Sequence, residues 1–257
     1  PQAILREFKN AADRGLLSPL PHPQEKRFHK ALARLFPRRA FRVYAPGTSL
    51  AGLWEAAGLP PPGLIADPAL SPYPGGGPDA GQTGALSLWR PFLDEAAPLA
   101  APEDVPVLIP LLPAAGWDRG RPMSPLILAI DPAWPAASGG AAPAPEGECP
   151  FPPSDLIPPA LLATLTRGVY DLIAAGPARG KCPAKIRAVL DKGPWERRGI
   201  YLRLRESPEP AAWEGIFRRF LAGGFLIPPE PGTPLILPGL LSPGEEAKLA
   251  ALLAGER

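Results

Sequence analysis

The sequence predicts an α/β protein in which a mostly parallel sheet is flanked by helices and followed by a small C-terminal α+β domain. Three patterns carry this. Two nearly continuous apolar runs, 105–112 and 125–130, have strand length and are bounded by proline, glycine and charge, as in strands buried on both faces. Helical periodicity follows over 157–175, where Leu161, Leu165, Val169 and Leu172 recur near one turn apart. Residues 199–205 then alternate as a half-buried strand with Arg203 and Arg205 outward.

Composition permits such a core. Proline (41) and glycine (27) make up about a quarter of the 257 residues, which borders on disordered composition. Yet 46% of the chain is hydrophobic and only 20% is charged, with a net charge of +2, so enough apolar surface can be buried to offset ordering entropy. No Gly-X-Y period is present. The near balance of 27 basic and 25 acidic residues argues against a nucleic-acid partner, which selects a basic stripe.

Element by element, residues 2–14 form an amphipathic helix ended by Gly15. Residues 23–36 form a second, with Phe28, Ala31, Leu32 and Leu35 on one face and Pro37 as its stop. Phe41-Arg42-Val43-Tyr44 is a short strand, and Gly47-Thr48-Ser49 turns it into a helix over 50–58. That layout has two uses: an ordinary N-cap, or a phosphate held by backbone N–H groups and a hydroxyl. Leu64-Ile65-Ala66-Asp67 and 85–88 are further strands. The triple glycine at 75–77 is followed by no Lys-Ser/Thr pair and is a loop. Pro106 and Pro110 are awkward in a central strand. The run 125–130 ends in Asp131, a lone carboxylate at the carboxyl end of a buried strand, the edge where open α/β sheets bind ligands. Residues 133–153 are irregular. Helices over 181–192 and 213–222, a strand at 225–227 and a helix capped by Ser242 complete the chain.

Cys149 and Cys182 belong to no CxxC pair, and His22 and His29 lack a third ligand; no metal site is expected, and both histidines read as solvated. No serine sits in a nucleophile elbow and the two histidines have no local partners, so a hydrolase is not expected. The apolar runs are too short to span a bilayer, and residues 1–30 lack the charged-then-apolar pattern of a leader, so a soluble cytoplasmic protein is expected.

The C-terminal third resembles the small domain of class III pyridoxal-phosphate-dependent aminotransferases, glutamate-1-semialdehyde aminomutases in particular. The likeness lies in order and spacing: the strand Gly199-Ile200-Tyr201-Leu202-Arg203-Leu204, a helix ending Phe217-Arg218-Arg219-Phe220-Leu221, then Gly224-Phe225-Leu226-Ile227-Pro228-Pro229-Glu230 and a closing Ser-Pro-Gly-Glu-Glu helix. Further upstream, Gly47 and Thr48 match the family's Gly-Thr pair that binds the cofactor phosphate, while Pro46 and Ser49 depart from it. Asp131 is similar to the family's aspartate facing the pyridinium nitrogen, with Pro132 in place of Glu. The resemblance implies a fold-type-I transferase, abridged, with residues 1–39 a helical segment, 40–195 a reduced large domain and 196–257 the small domain. It also implies a homodimer and a phosphate-bearing small molecule as partners, and cofactor contacts at Gly47, Thr48, Ser49 and Asp131.

One feature departs from the family. There is no lysine between Lys30 and Lys181, so the lysine that anchors the cofactor is missing from its expected place. No catalytic residue and no bound cofactor are therefore expected, although pyridoxal phosphate is what the resemblance allows. The expected protein is a pseudoenzyme with a regulatory, scaffold or ligand-binding role. Two alternatives stand beside it: a pyridoxal-phosphate transferase or aminomutase using Lys181 or Lys185, and a proline-rich interaction domain.

Overall fold

The computed structural model describes residues 2–60, 65–70, 86–112, 117–118, 121–122, 124–134, 149–175 and 182–255. The glycine loop at 75–77, most of 133–153 and Lys181 lie outside them. Two compact units emerge: Pro1–Pro68 with Pro72–Arg90 and Ala101–Ala174, and Ala69–Ser71 with Pro91–Ala100 and Ala175–Arg257. The N-terminal helices are part of the first unit, and the two units divide near residue 174.

In the first unit the elements are α1 (Gln2–Asp13), α2 (Pro23–Leu35), β1 (Ala40–Tyr44), α3 (Leu50–Ala56), β2 (Leu86–Trp89), β3 (Val107–Pro110), the short antiparallel ribbon β4 (Trp117–Asp118) and β5 (Arg121–Pro122), β6 (Leu126–Ile130) and α4 (Pro159–Ala175). The main sheet has the order β1-β6-β3-β2. β2 and β3 are parallel, with Leu86 opposite Val107, and Ala66 makes a parallel bridge to Ser87 beyond β2. β6 is antiparallel to both neighbours, Ala40 facing Ile130 and Tyr44 facing Leu126. Among the described residues, β1, the Ala66 segment, β2 and β3 thus point one way, and β6 alone is reversed. This corrects the expectation of a parallel run at 125–130: an unbroken apolar run marks burial on both faces but carries no sign of direction. The two awkward prolines resolve by position, since β3 begins after Pro106 and ends at Pro110.

Side chains alternate cleanly between the two faces of this sheet. Tyr44, Leu86, Val107, Ile109, Leu128 and Ile130 pack with Leu53 and Trp54 of α3 and with Phe151. On the other face, Phe36, just past α2, meets Trp89 edge-on at 4.7 Å, and His29 meets Phe41 at 6.3 Å. α2 buries Phe28, Ala31, Leu32 and Leu35, each large side chain contributing about 1.5–3 kcal/mol. Its N-cap is His22, whose Nδ1 accepts from the Gln24 N–H at 3.2 Å, with Pro23 at the first helical position. Neither histidine is simply solvated, because His22 is a cap and His29 is half-buried against Phe41.

β1 is an edge strand, and the segment before α4 covers it. Val43 N–H donates to Ser154 Oγ at 3.0 Å, Asp155 N–H to the Val43 carbonyl at 2.9 Å, and Ala45 N–H to Asp155 Oδ2 at 2.8 Å. These bonds remove the open edge that would otherwise pair with another chain. α4 carries ten buried residues along its seventeen, and its one fully buried hydroxyl, Thr164, donates to the Ala160 carbonyl at 2.7 Å.

The second unit contains α5 (Ala184–Leu190), β7 (Trp195–Arg198), β8 (Tyr201–Leu204), α6 (Pro210–Ala222), β9 (Leu235–Ile236) and α7 (Pro243–Ala254), with an antiparallel sheet in the order β7-β8-β9. Leu202, Trp195, Trp213, Phe220, Ile186 and Leu253 share its core. The Trp195 indole donates to the Leu253 carbonyl at 3.0 Å and that of Trp213 to the Pro228 carbonyl at 3.2 Å, so both buried N–H groups are satisfied. α7 opens on a full capping box, Ser242 Oγ accepting from Glu245 N–H while the Glu245 carboxylate accepts from Ser242 N–H at 2.8 Å. The expected strand at 225–227 is corrected: these residues belong to no strand, and β8 pairs with β9, Leu202 facing Leu235. β7 was hidden because Trp-Glu-Arg-Arg has no apolar alternation. No described helix is long and apolar enough to cross a membrane.

Candidate functional site

The strand directions decide which residues share an edge. Gly47, Thr48 and Ser49 follow β1 at the carboxyl edge of the main sheet. Asp131 follows the reversed β6, and therefore stands at the opposite edge beside Ala40. The length of β6 alone separates the two by about 13 Å at 3.3 Å per residue. The four residues expected to share one cofactor do not converge.

Each of them has a local structural role. Gly47 sits at φ +87°, a conformation that glycine adopts without strain. Thr48 closes the turn twice on the Ala45 carbonyl, through its N–H at 3.1 Å and its Oγ1 at 2.8 Å. Ser49 is the N-cap of α3, its Oγ accepting from Gly52 N–H at 3.2 Å. Asp131 Oδ1 accepts from Ala133 N–H at 2.9 Å in an Asx turn, and the Asp131 N–H donates to the Pro106 carbonyl at 2.8 Å. The nearby Arg39 guanidinium clamps the same edge, donating to the carbonyls of Val105 and Pro102 at 2.7 Å, Pro106 at 3.1 Å and Ala129 at 3.4 Å. Burial lowers the Arg39 pKa, opposed by Asp131 and Asp104. The carboxylate of Asp131 thus serves that cluster.

At the carboxyl edge, sequence reasoning missed the most developed polar contact. Asp67 follows Ala66 and Arg90 follows β2, and their side chains form a two-pronged ion pair, Nε to Oδ1 at 2.8 Å and Nη2 to Oδ2 at 2.6 Å. Only 11% of Asp67 and 9% of Arg90 side-chain surface is exposed. The available signal was a charge ending each of two neighbouring apolar strands. Nearer β1, the Tyr44 hydroxyl donates to the Pro152 carbonyl at 2.8 Å, and burial, reinforced by Cys149, pushes its pKa up to about 12, so it stays protonated. In the second unit, burial raises the Cys182 thiol, which makes it a poor nucleophile. Among the described residues no group of three or more His, Cys, Asp or Glu side chains is placed to hold a metal ion.

His29 gives this unit a pH response. Burial pushes its imidazole below the ordinary 6.5, with Glu25 opposing the shift and Arg42 adding to it. Its Nε2 is buried without a hydrogen-bond partner among the described residues. A base whose pKa is depressed by folding binds fewer protons in the folded state, so its contribution is complete above 6.5 and declines as pH falls toward the folded-state value. The urea midpoint is therefore expected to drop between about pH 7.5 and about pH 5.5, and His29→Gln should flatten that slope. An equal slope in the variant would refute it.

No protein-family model matches the chain, and no curated protein matches it. Solved structures do. A serine palmitoyltransferase variant from S. paucimobilis with bound PLP-myriocin aldimine aligns over 98% of this chain and 83% of its own, with a TM-score of 0.56 and 11% identity. The Sphingomonas wittichii serine palmitoyltransferase aligns over 98% and 82%, with a TM-score of 0.57 and 12% identity. An omega-transaminase from Sphaerobacter thermophilus aligns over 98% and 82%, with a TM-score of 0.53 and 15% identity. The chain has a pyridoxal-phosphate-transferase-like fold. At these identities the likeness is one of fold, a sheet flanked by helices, and function belongs to the residues placed on it.

Proposed function

We propose that this protein is a degenerate relative of the class III aminotransferases, retaining the transferase fold without transamination and serving as a regulatory, scaffold or ligand-binding protein. One observation carries this reading. β1, β2, β3, β6 and every connection between them fall within 31–180, a stretch without a single lysine, so neither the sheet nor its loops can offer an amine to the cofactor's aldehyde. Without that amine the chemistry loses its covalent anchor and its proton carrier. The remaining residues fit pyridoxal phosphate no better. Asp131 lies at the wrong edge, Asp67 is engaged by Arg90, and Thr48 and Ser49 are spent on their own turn and cap. No step is derived through the cofactor.

Lysine labelling tests this. Incubation of the full chain with equimolar pyridoxal phosphate, borohydride reduction and peptide mapping is expected to show no single lysine labelled in stoichiometric yield. Stoichiometric labelling of one lysine would overturn the proposal. Labelling at Lys181 or Lys185, abolished by its change to alanine, would establish the alternative of an enzyme with an unconventional lysine.

A further inference from the structure

A strongly charged groove of about 450 Å³ lies among α1, α2 and α4 in the first unit. α2 contributes Arg27, Lys30 and Arg34, spaced three and four residues apart and therefore on one stripe of the helix. α4 contributes Arg167, Thr166 and Tyr170, and α1 contributes Glu7. Four cations thus face one lining carboxylate. Arg167 is partly neutralised by Asp171 at 2.9 Å, but Arg27, Lys30 and Arg34 form no ion pair among the described residues. Like charges in neighbouring turns cost a helix a few tenths of a kcal/mol each, so the stripe is unfavourable for folding.

The groove has a second, non-ionic feature. The Arg34 guanidinium lies over the Tyr170 ring, 5.6 Å from its centroid, so a cation and an aromatic face are held side by side. The volume falls within the usual range of small-molecule sites, about 300–1,000 Å³. Arginines grip phosphate oxygens through paired N–H groups, and an aromatic ring accepts a flat heterocycle by stacking.

We propose that this groove binds a small phosphate ester bearing a planar ring, of nucleotide chemistry, with Arg27, Lys30 and Arg34 on the phosphates and Tyr170 beneath the ring. The proposal does not depend on the presence or absence of transferase activity. A groove of about 450 Å³ on a chain whose net charge is only +2 suits a compact anion better than a long polyanion.

Thermophoresis of the full chain with AMP, ATP, inorganic tripolyphosphate and citrate tests it. ATP is expected to bind more tightly than AMP, and added salt to weaken both. Arg27→Gln, Lys30→Gln and Arg34→Gln, all exposed and so tolerated by the fold, should each weaken ATP about tenfold, the loss of one charge-assisted contact. Arg218→Gln, an exposed arginine of α6, should change nothing. Tyr170→Leu should weaken AMP and ATP but leave tripolyphosphate unaffected. The proposal fails if ATP does not bind, if Arg218→Gln weakens it equally, or if citrate competes as well as ATP. It fails also if Tyr170→Leu is without effect on AMP, or if an RNA oligomer is bound through these residues while AMP is not.

Discussion

Gly199→Ala is expected to unfold the C-terminal unit, or to destabilise it by about 3–5 kcal/mol, near the upper end for single substitutions. Gly199 joins β7 to β8 at φ +58° and lies against the backbone of the 91–100 segment. A Cβ there would overlap the Phe92 carbonyl oxygen and lie 2.6 Å from that of Leu93. Backbone cannot swing aside as a side chain would. The same carbonyl of Phe92 accepts from Ile200 N–H at 3.1 Å, and the Tyr201 hydroxyl reaches the Pro91 carbonyl at 2.9 Å, so displacing the segment breaks bonds that hold β8 in register. Gly224→Ala provides the comparison. Gly224 has a similar φ of +82° but an open space where the Cβ would stand, so only the conformational cost of about 1–2 kcal/mol applies. Urea unfolding of the two variants should separate steric overlap from backbone strain, and equal losses would show that the overlap is relieved freely.

Asp67→Asn is expected to cost about 3–5 kcal/mol, because it removes the charged carboxylate that both prongs of the buried Arg90 guanidinium grip. The two side chains are about nine-tenths buried, and the pair joins the end of β2 to the segment beside it. Against a total stability of about 5–15 kcal/mol for a domain, this is a large share. The double change Asp67→Asn with Arg90→Met removes both charges of the pair and should recover much of the loss. The recovery, read as a double-mutant cycle, distinguishes a coupled pair from two independent packing effects. A single-variant loss below about 1 kcal/mol, the scale of an exposed pair, would refute the assignment.

The helices were the most legible elements, for local reasons. In α2, Phe28, Ala31, Leu32 and Leu35 declare one buried face, and Pro23 and Pro37 bracket it. In α7, Ser242 and Glu245 carry the capping box in four consecutive residues. The apolar strands β3 and β6 were also evident. Less local features were not. β7 is two-sided and polar, and it persists because Glu196 pairs with Arg203 across the ladder, Nη2 to Oε2 at 2.7 Å, and Trp195 is buried by α7. The Phe225-Leu226-Ile227 run looks like a strand, yet the partner edge of β8 is taken by the shorter Leu235–Ile236.

The sequence by itself determined the α/β class, the places of most helices, the resemblance to a transferase and the absence of lysine from 31 to 180. Those depend on residue identity and short-range periodicity. Only the tertiary structure decided that β6 runs against its neighbours, which sends Asp131 to the edge opposite Gly47 and Thr48, and that Asp67 and Arg90 meet. Strand direction and cross-strand partnership are set by long-range hydrogen-bond pairing and chain connectivity. An apolar strand has the same pattern whichever way it runs, so those facts are not written in any local stretch of the chain.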